Sequence, residues 1–296
     1  MVDASDPRTA RKMSEPRLSL ITCCKGRLQY LKRSLPTLIA QKESEVVVVD
    51  YDCPDNTKEW VATHFPEARL VAVTDESYFN LSRARNIGAR HGCAPWLVFC
   101  DSDQLLAPSF SSRVLAMVGP GTYLRTLHPT QWGPRRQGVP LACEAKLFWE
   151  IGGYDDAFHG WGVEDRELVD RLDRSGLREV VGPETLVETI RHSNEERSRY
   201  YEYEIELSMA INFYYRQIKH RYFETAGHWL TDEQRYSTYS KVEQAILDSL
   251  AKPDSDATFD IPIVGSDPPW AARVSASNVR QFLETKSKVL AGLTMT

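Results

Sequence analysis

Four continuous apolar runs, residues 18–24 (LSLITCC), 46–49 (VVVV), 70–73 (LVAV) and 96–100 (WLVFC), recur along the first third of the chain. Strands apolar on both faces need cover on both, so these runs imply an α/β fold: a mostly parallel sheet with helices on each side. The intervening segments have the right period. Leu28, Leu31, Leu35, Leu38 and Ile39 share one helical face after the first run, and Trp60, Val61, His64 and Phe65 share another after the second. Asp55-Asn56 is the expected cap of the second helix, and Ser82 that of a short third helix through Ala84, Ile87 and His91.

Beyond Asp103 the rhythm changes. Residues 119–138 are rich in Gly and Pro, which predicts strand fragments around a mobile loop, HPTQWGPRRQG, able to act as a lid over a ligand or to be ordinary surface. A strand at 139–143, a helical turn at 146–150, a break at Gly152-Gly153, a helix over 163–174 stopped by Gly176 and a strand at 187–190 follow. From Arg197 to about Phe223 the pattern is one long tyrosine-rich helix, with two or three more helices after it. The expected organisation is a flexible tail (1–16), a catalytic α/β domain (17–196) and a helical C-terminal region (197–296).

Composition narrows the class. Hydrophobic residues are 42% and charged residues 26% of 296, ordinary for a globular chain, and the net charge of −5 argues against a nucleic-acid partner. No run approaches the roughly 18 apolar residues of a membrane span, and the first 17 residues lack a signal-peptide core, so a cytoplasmic protein is expected. Peripheral membrane contact or a homo-oligomer through the tyrosine-rich helix stays open. Six scattered cysteines, without a CxxC pair, read as reduced thiols rather than a disulfide framework or a zinc site.

In open parallel sheets ligands bind beyond the carboxyl ends of the strands. Those positions hold Lys25 and Arg27, Asp50 and Asp52, and Asp101-Ser102-Asp103. Basic residues suit phosphate, and carboxylates suit a ribose, a base or a hard divalent cation that also takes phosphate oxygens. A second cluster is Gly160-Trp161-Gly162-Val163-Glu164-Asp165, where the glycines allow an indole close to a ligand and the acids also suit a helix N-terminus. A third is Ile190-Arg191-His192-Ser193.

These residues carry a resemblance. The segments SLITCCKGRLQYLKRSLPTLIAQ, VVVVDYDCPDNT and FCDSD resemble the nucleotide-sugar-binding half of a family 2 glycosyltransferase of the GT-A fold. IGGYDDAFHGWGVEDREL followed by TIRHS is similar to the later part of the catalytic domain in β-1,4-galactosyltransferases, chondroitin-polymerase-like enzymes and polypeptide N-acetylgalactosaminyltransferases. The likeness spans residues 17–195. It implies a UDP-sugar donor and a glycan or glycoconjugate acceptor, as in polysaccharide biosynthesis. Mn²⁺ would be the metal, on Asp103 and His192. Lys25, Arg27, Asp50, Asp52, Arg83, Asp101 and Trp161 would serve donor binding, and Glu164 and Asp165 would grip the acceptor, with Asp165 the base of an inverting displacement.

There are departures from the family pattern. Its FNRAK segment is Phe79-Asn80-Leu81-Ser82-Arg83 here, moving the charge to Arg83 or Arg85, and its methionine metal ligand is Thr189, which would let Mg²⁺ compete with Mn²⁺. A retaining glycosyltransferase, a nucleotidyltransferase on the same fold and an inactive carbohydrate-binding protein are the alternatives.

Overall fold

The computed structural model describes residues 15–128, 135–251, 256–267 and 269–294. Strand β1 (Leu18–Cys24) leads through α1 (Leu28–Ile39) to β2 (Ser44–Tyr51), α2 (Thr57–His64), β3 (Arg69–Val73), α3 (Leu81–His91) and β4 (Trp96–Asp101). There follow β5 (Gln104–Leu106), α4 (Phe110–Met117), β6 (Thr122–His128), β7 (Arg135–Glu144), α5 (Ala145–Glu150), α6 (Glu164–Arg174), β8 (Arg178–Gly182), β9 (Val187–Thr189) and α7 (Asn194–Ser198). The C-terminal part holds α8 (Ile205–Ala226), α9 (Asp232–Ala251), β10 (Thr258–Ile263), β11 (Trp270–Ser275) and α10 (Ala276–Thr294).

Seven strands form one sheet in the order β3-β2-β1-β4-β7-β6-β8. The first four are parallel, β7 runs antiparallel to both neighbours, and β8 returns parallel to β6. Side chains alternate across the pleat, so β1 serves two cores. Leu18, Leu20 and Cys24 pack under the four leucines of α1, while Ile21 and Cys23 face Ala84 and Ala89 of α3 on the opposite side. Burying each such leucine stabilises the fold by about 1.5–3 kcal/mol.

Several expectations are corrected. Strand β8 does not stand out in the sequence because its Arg178-Glu179 start breaks the apolar run. The long helix expected from Arg197 is interrupted between α7 and α8, where Tyr201 turns back to stack on Phe79 at 5.8 Å. The cap of α3 is Asn80 rather than Ser82, its side chain accepting from the Arg83 amide at 2.9 Å. Asn56 caps α2 only with its backbone; Asp50 serves instead, accepting from the amides of Cys53 and Lys58 at 2.8 and 2.7 Å. The C-terminal region is helical but also contains the β10–β11 hairpin. Residues 129–134 of the expected lid and 1–14 of the expected tail lie outside the described residues.

A third core joins α8, α9, α10 and the hairpin. Ala157 and Phe158 join it to the sheet domain through apolar contacts, and a buried ionic set adds to them. Lys219 of α8, 1% exposed, reaches Asp155 at 2.5 Å and Glu167 of α6 at 2.6 Å, while Arg171 pairs with Glu167 through Nε and Nη2. Against the upward push of burial, Arg171 and Lys219 hold the Glu167 carboxyl down to about 2. Removing one member of such a set leaves uncompensated buried charge. Lys219→Ala is therefore expected to lower the free energy of unfolding by about 3–5 kcal/mol in urea titrations.

Candidate active site

The carboxyl end of β4, the strands β6 and β7, helix α3 and the N-terminal part of α6 line a cavity of about 820 Å³. Arg85, on α3 and 2% exposed, lies at its base. Its guanidinium donates to Asp101 at 2.9 Å, to Asp165 at 2.7 Å and to Glu164 at 3.4 Å. The Tyr154 hydroxyl donates to the same Asp165 oxygen, Oδ1, at 3.0 Å, and its ring lies 5.0 Å beneath Arg85. Asn86, the next residue of α3, clasps the backbone of Tyr154 through two hydrogen bonds of 2.8 and 2.9 Å. One helix thus places both the cation and the phenol on one carboxylate.

Asp165 Oδ2 lies under the backbone of β7. A Cβ at Gly138 would stand 2.1 Å from it, so only glycine leaves that oxygen in place. Burial, together with Asp165 alongside, pushes the Glu164 carboxyl up to about 8.

The GWGVED turn takes its shape from α8. Gly160 and Gly162 have φ of +73° and +91°, and a Cβ on Gly160 would collide with Ser208. Asn212 donates to the Gly162 carbonyl at 2.9 Å and accepts from the Tyr239 hydroxyl at 2.9 Å. Val163 holds φ +80°, a conformation that a β-branched residue adopts only when its surroundings impose it. Trp161 lines the cavity with Arg197 5.2 Å from its ring.

Asp103 and His192 meet through a separate device. Strands β5 and β9 pair antiparallel, Gln104 opposite Thr189, and the Ile190 amide donates to the Asp103 carbonyl at 2.8 Å. His192 Nε2 then lies 2.6 Å from Asp103 Oδ2. His192 Nδ1 lies 3.2 Å from the Ser193 carbonyl, so the ring is held between that oxygen and the Asp103 carboxylate. A proton or a cation completes that pair, so the donor set suits a divalent ion that takes its other ligands from phosphate and water. Among the described residues no group of three or more His, Cys, Asp or Glu is spaced to hold a metal on its own.

The other candidates are placed as follows. Arg27 Nη1 is 3.8 Å from Asp103 and also binds the Arg197 carbonyl. Lys25 is buried and donates to the carbonyls of Tyr51, Asp52 and Glu76. Asp50 is taken up by backbone amides, whereas Asp52 is exposed and accepts from the Glu76 amide at 3.1 Å. Arg83 points away to Glu76 at 2.6 Å, and Arg85 supplies the cation inside. Sequence reading missed Tyr154, although the adjacent Gly152-Gly153 break signals a tight turn there.

The description Glycosyl transferase family 2 matches residues 19–124, and N-terminal domain of galactosyltransferase matches 121–204. A validoxylamine A glucosyltransferase from Streptomyces hygroscopicus subsp. jinggangensis is 29% identical over 57% of this chain and 54% of its own length. The chain thus spans about half the length of the curated relatives it matches. Among solved structures, the mannosyltransferase PcManGT from Pyrobaculum calidifontis, in complex with GDP-Man and Mn²⁺, is similar with a TM-score of 0.50 and 17% identity, covering 93% of this chain and 81% of that one. S. aureus TarS (1–349) in complex with UDP-GlcNAc gives 0.53 and 16%, covering 77% and 73%. At these identities the likeness is one of fold.

The charge arrangement makes its own prediction. Because folding raises the Glu164 pKa, the stability of its protonated form is intact below about 4.5 and is lost as pH rises toward about 8. Glu164→Gln is expected to raise the melting temperature at pH 8, by an amount corresponding to on the order of 1–3 kcal/mol, and to converge with wild type as pH falls to about 4.5. Calorimetry across that range checks it. Fold and sequence likeness agree: the chain has the GT-A fold of its structural neighbours, and residues 19–204 are similar along their length to glycosyltransferase families.

Proposed function

We propose that this domain transfers a hexose or N-acetylhexosamine from a UDP-sugar to a hydroxyl of a glycan or glycoconjugate, with inversion at the anomeric carbon. The observation that carries the reading is the Asp165 carboxylate, held at the cavity by Arg85 and Tyr154 through Oδ1 with Oδ2 turned under Gly138. In this reading Oδ2 takes the acceptor proton as the hydroxyl oxygen attacks the anomeric carbon. The bond to the diphosphate breaks and its electron pair passes to the leaving phosphate oxygen. Fixing one oxygen by two donors sets the direction of the other, which is where a positioned base gains most.

On the donor side, Asp52 is assigned to the nucleoside because Asp50 is already occupied by the Cys53 and Lys58 amides. Arg27 and Arg197 stand beside Asp103 and Trp161 and favour an anionic diphosphate there. Asp103 and His192 would hold a divalent cation, Mn²⁺ or Mg²⁺, which when bound neutralises charge on the leaving diphosphate. Among the described residues no helix is long and apolar enough to cross a membrane. We place the enzyme in the cytoplasm, acting on a polysaccharide or other glycan precursor.

The test is UDP release across a panel of UDP-sugars with Mn²⁺, Mg²⁺ or EDTA, combined with the anomeric configuration of the product. Turnover of one donor, lost with EDTA and in Asp103→Ala, is the expected result, and Asp165→Asn should lower turnover by about 10³-fold while UDP still binds. A retained anomeric configuration, or pyrophosphate released from a nucleoside triphosphate, would overturn it. Sugar binding without turnover in the presence of acceptor glycans would point to an inactive binding protein. Gly138→Ala should lower kcat by about 10-fold or more with little change in melting temperature, since it displaces Asp165 Oδ2 and not the core.

A further inference from the structure

Cys24 ends β1 and stands opposite Asp50 of β2 in the parallel register; Cys53 lies three residues beyond Asp50. The two loops leaving the sheet bring their sulfurs to 3.9 Å. Cys23, the chain neighbour of Cys24, points into the opposite core, and Cys93 is exposed on another loop. Cys24 is fully buried, whereas Cys53 is half-buried at the loop surface.

The surroundings of the two sulfurs differ. Cys53 Sγ accepts from the Gly26 amide at 3.1 Å and from the Thr57 hydroxyl at 3.1 Å, and faces the Cys24 thiol. Thr57 is also 3.4 Å from Cys24 Sγ. Such donors favour a thiolate: the Cys24 thiol first, then Thr57 and the backbone amides, bring the Cys53 thiol down to about 6. The same contact with Cys53, reinforced by burial, pushes Cys24 well above its ordinary value. An accessible nucleophilic sulfur thus stands in front of a buried protonated one.

We propose that Cys53 and Cys24 are a reversible oxidation site, reacting with hydroperoxides to form a disulfide between the β1 and β2 loops. The Cys53 thiolate attacks the peroxide O–O bond, taking one oxygen as sulfenic acid and releasing the other as water or an alcohol. Cys24 sulfur then attacks the Cys53 sulfur; the S–S bond forms, the S–O bond breaks, and the Cys24 proton leaves with the hydroxyl as water. Two thiols are oxidised by two electrons and one peroxide is reduced. Closing from 3.9 Å to a bonded length of about 2 Å pulls Cys53 from the Gly26 amide. That movement displaces the loops bearing Lys25, Arg27 and Asp52, so oxidation weakens nucleotide binding; this consequence, unlike the bond itself, rests on the donor-site assignment above.

The experiment treats the reduced full chain with hydrogen peroxide, maps thiols and cross-linked peptides by mass spectrometry, and titrates UDP before and after. The expected result is one linkage joining the Cys24 and Cys53 peptides with loss of two hydrogens, cleaved by dithiothreitol and absent in Cys53→Ser. In Cys24→Ala the reaction should stop at a Cys53 sulfenic acid trapped by dimedone. Over-oxidation of Cys53 with Cys24 still free, or faster oxidation of Cys93, would overturn the proposal. UDP affinity should fall by about tenfold on oxidation and recover with reductant. An unchanged affinity with the linkage formed refutes the coupling to the donor loop. A reduced chain that forms the linkage but never binds UDP refutes the donor-site reading and leaves the disulfide standing.

Discussion

The Arg85 guanidinium is the interaction on which the site depends. It is almost fully buried, and it is the group that gathers the end of β4 and the first turn of α6 around one point by pairing with Asp101, Glu164 and Asp165. A guanidinium suits this role because its fork of donors reaches several carboxylates in fixed directions, which a lysine ammonium does not. Its single charge is fewer than the carboxylates it serves. Glu164 responds by keeping its proton to higher pH, so the cavity is built around a deficit of positive charge.

Much of this was legible in the sequence where the signal was local. The apolar runs ending in Lys25, Asp50 and Asp101 marked the sheet and its ligand-facing end, because continuous burial on both faces leaves no other reading for such segments. The Asp101–Asp103 and Gly160–Asp165 clusters were visible as residue types that need a reason to stand together. Arg85 was hard to single out because a charged residue on a short helix ordinarily faces water, and nothing within α3 says that this one turns inward. Asp50 and Asp52 looked equivalent in the sequence; the turn into α2 consumes one and leaves the other. Strand β8 escaped because its partner β6 lies far back along the chain, and the β10–β11 hairpin, though local, because Asp260, Pro262 and Arg273 break its apolar pattern.

The C-terminal helices were expected as an appendage, and their position in the fold says more. Ser208 and Asn212 of α8 press on Gly160 and hold the Gly162 carbonyl, and Lys219 reaches across to Asp155 and Glu167. Tyr154 and Asp155, adjacent in sequence, divide between the two sides: the phenol goes to Asp165, the carboxylate to Lys219. A two-residue segment therefore links the Asp165 side of the cavity to the third core.

The left-handed Val163 gives that link a direction. Its backbone is not one the residue would choose alone, so the direction of α6, and with it the aim of Asp165, is set by the packing of α8. Residues such as Ile246 and Val274, which belong to the third core and do not line the cavity, then share in setting the position of the carboxylates. A looser third core would reach the turn that carries Glu164 and Asp165 as well as the helices themselves.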